Sequence, residues 1–173
     1  MSKKEEQLYP EIEAWCKKYL EDKYKGYGVI TTHKTSRIAL DSYLKSIGIE
    51  IREAIGLAIR VDIVGVLKKG HEIKLVFIEV KDQPLTLSDL GQLWGYTELI
   101  NPVESFLISS EGLGSLDYLL KVLKREDLLV YGHEVVLDVE LDIVGRDCPV
   151  PGDLADELLE PQYPFMDTLA FAA

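Results

Sequence analysis

Three polar side chains, Asp62, Glu79 and Lys81, lie within apolar sequence. Asp62 is flanked by valine and isoleucine in RVDIVGVL, and the other two lie at the end of the run IKLVFIEVK. An unpaired charge is expensive to bury in such surroundings, so each acid needs a compensating partner. A divalent cation held by two carboxylates and a main-chain carbonyl would compensate them, and such hard oxygen ligands suit Mg²⁺ or Mn²⁺. A lysine beside that cation could hold the attacking water and offset charge building on a phosphate.

A hairpin would bring these residues together. Residues 60–67 and 73–81 are β-branched runs separated by a short polar segment that contains glycine, which is typical of two antiparallel strands joined by a turn. Residues two apart in a strand point to the same face, so Glu79 and Lys81 should project together. The pattern therefore predicts that the two strands position the carboxylates and the lysine side by side.

A purely structural interpretation of the same residues is also available. Glu-x-Lys is common on the solvent face of an amphipathic strand, and Asp62 with Lys81 would then be an ordinary ion pair. Taken alone, the Glu79-x-Lys81 pair is weak evidence for a site. The joint spacing of all three residues across one hairpin is the stronger signal.

The sequence around the hairpin predicts alternating helices and strands. Helices are expected at residues 3–24, 35–46 (capped by Thr35 or Ser36), 86–100 and 115–124. Further strands are expected at residues 27–32, 49–53, 105–110, 128–131 and 135–141. This mixed order favours an α/β fold in which helices cover a sheet.

Asp62, sixteen intervening residues and then Glu79-Val80-Lys81, with a helix before and a helix after, resembles the PD-(D/E)XK nuclease superfamily. The proline of that name is absent, since Val61 precedes Asp62. The resemblance implies a restriction endonuclease-like fold, which is a mixed β-sheet flanked by helices on both sides. It also implies a metal-dependent nuclease that hydrolyses DNA phosphodiester bonds. Asp62 and Glu79 would be ligands of Mg²⁺ or Mn²⁺, Val80 would lend its carbonyl, and Lys81 would position or activate water.

A second motif on the next predicted helix is similar to the RecB-like nucleases within that superfamily. Gln92 and Tyr96 form Gln-x-x-x-Tyr, and this spacing places both on one helical face. The resemblance implies that the pair borders the active site and helps to hold the lysine or a phosphate. The ordinary alternative is that Tyr96 is a core residue and Gln92 a surface residue.

The resemblance also implies one more acid, contributed by the first helix. Glu11 and Glu13 compete for this role, and Glu53 is a third candidate. Glu11 is favoured as an additional metal ligand because it shares a helical side with Leu8 and Trp15, which should face the core.

Composition limits the class of protein. The 173 residues predict one nuclease-like domain over residues 1–146, followed by an acidic tail over residues 147–173 that carries four of the seven prolines. Cys16 and Cys148 lie in no CxxC or Cys/His cluster, so neither a disulfide framework nor a zinc site is supported. No apolar run is long enough to span a bilayer and no secretory signal is visible, so we expect a cytoplasmic protein without a membrane partner.

The expected partner is DNA. Enzymes that cut both strands of a duplex are often two-fold dimers, so a homodimer is a further geometric expectation. The net charge of −11 motivates a rival hypothesis, a catalytically silent subunit that keeps the nuclease fold for nucleic-acid binding or assembly.

Overall fold

Six strands form one mixed sheet in the computed structural model, which describes residues 4–131 and 134–140. In chain order they are β1 Gly28–Thr32, β2 Ile63–Lys69, β3 Glu72–Lys81, β4 Glu104–Ser109, β5 Val130–Tyr131 and β6 Glu134–Glu140. Their order across the sheet is β1-β2-β3-β4-β6-β5. The pairs β1–β2, β2–β3 and β5–β6 are antiparallel, whereas β3–β4 and β4–β6 are parallel.

Helices cover both faces of this sheet. They are α1 Glu5–Lys23, α2 Leu40–Ser46, α3 Leu87–Ile100 and the short α4 Ser115–Asp117, which continues as a π-helical segment, Tyr118–Val122. Helix α1 packs on one face, and α2, α3 and α4 contribute to a second core on the other. The expectation of an α/β protein with a mixed sheet and covering helices is therefore confirmed at that level. None of the described helices combines the length and the apolar character needed to cross a membrane.

The predicted hairpin is present, with a very short turn. Lys69 pairs with Glu72, which leaves Gly70 and His71 as the whole loop between β2 and β3. Gly70 has φ +61°, a conformation that glycine adopts without a steric penalty and that two-residue hairpin loops require. The tight loop fixes the register of the two strands, and this register determines which side chains of β3 share a face.

Strand β3 alternates between the two cores. Leu75 and Phe77 face the core that α2 and α3 cover, whereas even-numbered residues such as Val80 are buried against α1. Glu79 and Lys81 continue the odd-numbered series at the carboxyl end of the strand. The alternation predicted for these two residues thus places them on the α3 side of the sheet.

Two predictions between β1 and β2 are wrong. The helix expected over residues 35–46 is a 3-10 turn at Lys34–Ser36 followed by α2, so neither Thr35 nor Ser36 caps it. The strand expected over residues 49–53 is absent, and a 3-10 turn occupies Arg52–Ala54 instead. The missing strand could not have paired with β2, because β1 and β3 already pair with its two edges.

The elements expected near the carboxyl terminus agree only in part with the structure. The helix expected over residues 115–124 is α-helical only as far as Asp117, and the strand expected over residues 128–131 is reduced to β5. The acidic tail over residues 147–173 lies outside the described residues.

Candidate active site

Asp62 lies immediately before β2, at the point where the hairpin strands separate. The strand expected to include it begins one residue later, and ladder pairing ends at Ile63 opposite Ile78. Beyond this pair the Asp62 carboxylate links the two chain segments, because its Oδ2 accepts a hydrogen bond from the Val80 N–H at 2.9 Å. Its Oδ1 accepts one from the Tyr9 hydroxyl at 2.8 Å. The side chain is therefore held from two directions and is only 7% exposed.

Glu79 is the most deeply buried acid of the site, at 2% exposure. Its Oε1 accepts hydrogen bonds from the Lys81 ammonium at 2.7 Å and from the Gln92 amide at 2.6 Å. Its Oε2 is also buried but has no hydrogen-bond partner among the described residues. A carboxylate oxygen left in this state is costly, because it has lost water without gaining another donor.

The electrostatics show that negative charge is in excess. Burial and the nearby Asp62 carboxylate together raise the pKa of Glu79 to about 7, although Lys81 opposes the shift. Burial alone would lower the pKa of Lys81, but Glu79, Asp62 and Glu5 outweigh that effect and raise it. Lys81 therefore stays protonated at neutral pH, and one ammonium group faces three carboxyl groups.

Glu5 and Tyr9 of α1 belong to the same cluster, and the sequence-based prediction missed both. Glu5 is buried, and its Oε1 lies 3.1 Å from the Tyr9 hydroxyl. Burial and the charge of Asp62 raise the pKa of Glu5, while Lys81 lowers it, so these groups are close enough to interact. Burial and Asp62 also raise the pKa of Tyr9, so its hydroxyl keeps its proton.

The acids named in advance for α1 are not the ones that the structure brings to the site. Glu11 is exposed, and Glu13 hydrogen-bonds His33 instead. Glu53 is exposed in its 3-10 turn. The buried stripe of α1 runs through Tyr9 rather than through the side that carries Glu11, which lies two residues later and so on the opposite side of the helix. The sequence signal that could have identified this side of α1 is the spacing of the apolar residues Tyr9, Ile12, Cys16 and Leu20, all of which are buried. Glu5 lies one turn before Tyr9 on the same side.

The two residues of the Gln-x-x-x-Tyr motif differ in position. Gln92 contacts Glu79 directly, as described above. Tyr96 is half-buried and packs against the α3-side core. Within the described part of the chain its hydroxyl makes no hydrogen bond to Asp62, Glu79 or Lys81, so the structure brings only the glutamine into the cluster.

The segment between β3 and α3 is braced from the neighbouring strand. Ser109, at the end of β4, donates a hydrogen bond from its hydroxyl to the Gln83 carbonyl at 2.7 Å. Gly114, the residue before α4, lies against the same segment. Its φ is +51°, and a Cβ atom at this position would lie 2.5 Å from the Leu85 carbonyl oxygen. Thr86 then caps α3 through a capping box. These contacts fix where α3 begins, and hence where Gln92 meets the sheet.

The donor chemistry of the cluster fits a hard divalent cation. Asp62 and Glu79 supply carboxylate oxygens, one of them buried and unpartnered, and Glu5 adds further negative charge. The Val80 backbone lies between the two acids, since its N–H already bonds Asp62. However, residues 4–131 and 134–140 contain no group of three or more His, Cys, Asp or Glu side chains arranged to hold a metal ion.

Comparison of the chain with protein-family models, with curated proteins and with solved structures finds no match. The geometry of this cluster is therefore the basis on which function is inferred.

Proposed function

We propose that the chain is a metal-dependent nuclease that hydrolyses DNA phosphodiester bonds, with the restriction endonuclease-like fold of the PD-(D/E)XK superfamily. The observation that carries the proposal is the buried, unpartnered Oε2 of Glu79 beside Lys81 and Asp62. Buried polar groups in folded proteins nearly always have partners, and a bound cation would give this oxygen one. The fold proposal is supported by the mixed sheet, with α1 on one face and α3 on the other.

The cation requirement follows from charge. Three carboxyl groups, those of Glu5, Asp62 and Glu79, interact with one another, and among residues 4–131 and 134–140 the Lys81 ammonium group is the cation that lowers the pKa of both Glu5 and Glu79. Asp62 and Glu79 would hold Mg²⁺ or Mn²⁺, with the Val80 carbonyl as the main-chain ligand. When bound, such a cation supplies Lewis-acid chemistry that favours attack by water and neutralises phosphate charge.

The remaining work is assigned to side chains of the chain itself. Lys81 remains protonated, so its ammonium group can orient water and offset charge that develops on the phosphate. Gln92 and Lys81 both donate to Oε1 of Glu79, and these two contacts hold that oxygen so that Oε2 is left for the cation. Asp62 is already held by Tyr9 and by the Val80 N–H, so it needs little reorganisation to act as a ligand.

The test is DNA cleavage by the purified chain with Mg²⁺ or Mn²⁺. We expect nicking or degradation, and a loss of at least about 10²-fold in Asp62→Asn, because the substitution keeps the shape but removes the charge. Glu104→Gln is the matched control, since it neutralises another buried acid, one on the neighbouring strand. Circular dichroism of each variant establishes that it is folded. Equal cleavage by Asp62→Asn and the wild type would overturn the proposal.

The catalytically silent alternative, in its form as an assembly subunit, rests on the net charge of −11, which disfavours tight contact with a polyanion. Calorimetric titration with Mn²⁺ separates the two functions. A catalytic site binds the cation, and Asp62→Asn weakens that binding. A silent subunit gives no heat of Mn²⁺ binding and leaves DNA intact.

A further inference from the structure

The Tyr9 hydroxyl lies between two acids that come from different parts of the chain. It is 2.8 Å from Oδ1 of Asp62 and 3.1 Å from Oε1 of Glu5, and Tyr9 is 1% exposed. A phenol carries a single hydrogen, so it can donate fully to only one of these oxygens. The shorter contact is the one to Asp62. The hydroxyl is thus a buried donor that α1 presents to the carboxylate at the start of β2.

We infer that Tyr9 is a positioning residue for the cation site, and that it acts by fixing the Asp62 carboxylate. This inference rests on the proposed function. Asp62 has two oxygens, and each is held by a different element: Oδ2 by the Val80 N–H of β3 and Oδ1 by Tyr9 of α1. Two fixed hydrogen bonds set the plane of a carboxylate, whereas one leaves it free to rotate. The Tyr9 hydroxyl therefore pre-organises the ligand before any cation arrives.

The same helix offers a matched control. The Tyr19 hydroxyl donates to Oε2 of Glu104 at 2.7 Å, so it too links α1 to a buried acid of the sheet. Tyr9→Phe and Tyr19→Phe each delete one oxygen atom: the first removes the contacts with Asp62 and Glu5, and the second removes the bond to Glu104 and the one accepted from Lys23. Each keeps its aromatic ring in the α1-side core, so both variants should fold. Only the first change touches a proposed cation ligand.

Mn²⁺ affinity, measured by isothermal titration calorimetry, is the main readout. We expect Tyr9→Phe to weaken Mn²⁺ binding by about 10-fold or more, which is typical for loss of a hydrogen bond to a metal-binding side chain. Tyr19→Phe should bind Mn²⁺ as the wild type does, whatever it does to the melting temperature. In the cleavage assay Tyr9→Phe should lower kcat and leave the KM for DNA unchanged, because Tyr9 is buried behind Asp62.

The outcomes are distinguishable. If the wild type binds Mn²⁺ and Tyr9→Phe binds it equally well, the inference is overturned and the proposed function stands. If the wild type binds no Mn²⁺, the proposed function is overturned and the inference with it. Equal weakening by Tyr9→Phe and Tyr19→Phe would mean a general loss of stability and would also overturn the inference.

A second measurement needs no variant. The hydroxyl protons of Tyr9 and Tyr19 are hydrogen-bonded to buried or part-buried acids, so both should exchange slowly enough to be followed by NMR. Titration of the wild type with Mg²⁺ should shift the Tyr9 hydroxyl resonance, since the cation withdraws charge from Asp62, and should leave that of Tyr19 in place. Mg²⁺ binding without a shift at Tyr9 would contradict the positioning role.

Discussion

Glu79 and Glu104 are buried acids on neighbouring parallel strands, yet their environments differ. Both oxygens of Glu104 are satisfied: Oε2 accepts from the Tyr19 hydroxyl at 2.7 Å, and Oε1 accepts a short hydrogen bond from Tyr24. The Lys23 ammonium adds an ion pair at 3.3 Å. All three partners come from α1 or the residue that follows it, so the helix supplies a complete set of donors for an acid on the sheet.

Glu79 receives no such set. It accepts two donors on one oxygen and, within the described residues, none on the other, and the neighbouring charged groups that raise its pKa are the acids Asp62 and Glu5. The Glu104 cluster proves that this fold can satisfy a buried carboxylate completely. The incomplete arrangement at Glu79 is therefore a property of that place in the sheet, and it is the feature on which the proposed function rests.

The largest expected effect is a difference in DNA cleavage between variants of Lys81, which pairs with Glu79, and of Lys23, which pairs with Glu104. On the proposed function, Lys81→Met should reduce cation-dependent DNA cleavage by about 10²- to 10³-fold, because it removes the positive charge that would lie beside the phosphate. Lys23→Met, which breaks the ion pair with Glu104 at a side chain that is 38% exposed, should leave cleavage unchanged. Cleavage rates with Mn²⁺ check both. Equal losses in the two variants would remove the distinction between the clusters.

The second effect concerns pH and the protein free of divalent cation. The unfolded chain releases the Glu79 proton near the ordinary pKa of 4.5, whereas the folded chain keeps it until about pH 7. The Glu79 contribution to stability is thus complete below about pH 4.5 and is lost as the pH rises through 7. The wild type should therefore lose on the order of 3 kcal/mol relative to Glu79→Gln over this range.

Urea unfolding in EDTA at pH 4, 6 and 8 measures that difference. Glu5, whose pKa is also raised, remains in both chains, so the comparison measures removal of the Glu79 carboxyl together with its coupling to Asp62, Lys81 and Glu5. A constant difference between wild type and Glu79→Gln at all three pH values would contradict the prediction.

The smallest effect is a difference in sign. At pH 8 without cation, Glu79→Gln should raise the free energy of unfolding by about 1–2 kcal/mol, because it removes the repulsion between the Glu79 carboxylate and those of Asp62 and Glu5. Lys81 still has Asp62 and Glu5 as counter-charges in this variant. Glu104→Gln should lower it by about 1–3 kcal/mol, because it leaves buried donors without their charged acceptor. The melting temperatures of the two variants, each compared with that of the wild type, test this prediction. Two shifts in the same direction would contradict it.

The hairpin and its polar residues were predictable because the signal is local. Two β-branched runs, a glycine in the turn and an alternation of period two suffice to place Glu79 and Lys81 on one face. These features depend on residues that are close in sequence or on a single strand pairing. The role expected for Gln92 came instead from the family resemblance and concerned the lysine or a phosphate, whereas the structure places its amide against Glu79.

The parts that failed depend on tertiary packing. The choice of Glu11 over Glu5 required knowing which side of α1 faces the sheet, and the apolar residues of that helix fit two overlapping stripes. The strand expected over residues 49–53 has suitable residues but no free edge of β2 to pair with. The open oxygen of Glu79 has no sequence signature, because it arises from what the surrounding elements leave out.

Gly114 has no reactive group of its own, yet it lies against the segment between β3 and α3, which positions side chains of the proposed site. Any side chain at this position would collide with the backbone at Leu85 and with Pro84, in the segment that joins the lysine strand to the glutamine helix. A replacement would displace that segment and loosen the contact between Gln92 and Glu79. On the proposed function, a genetic screen for loss of DNA cleavage would therefore recover substitutions of residue 114 as well as substitutions of the acids. Cation affinity and stability, measured together, would distinguish a residue that supports the site from a residue that acts in it.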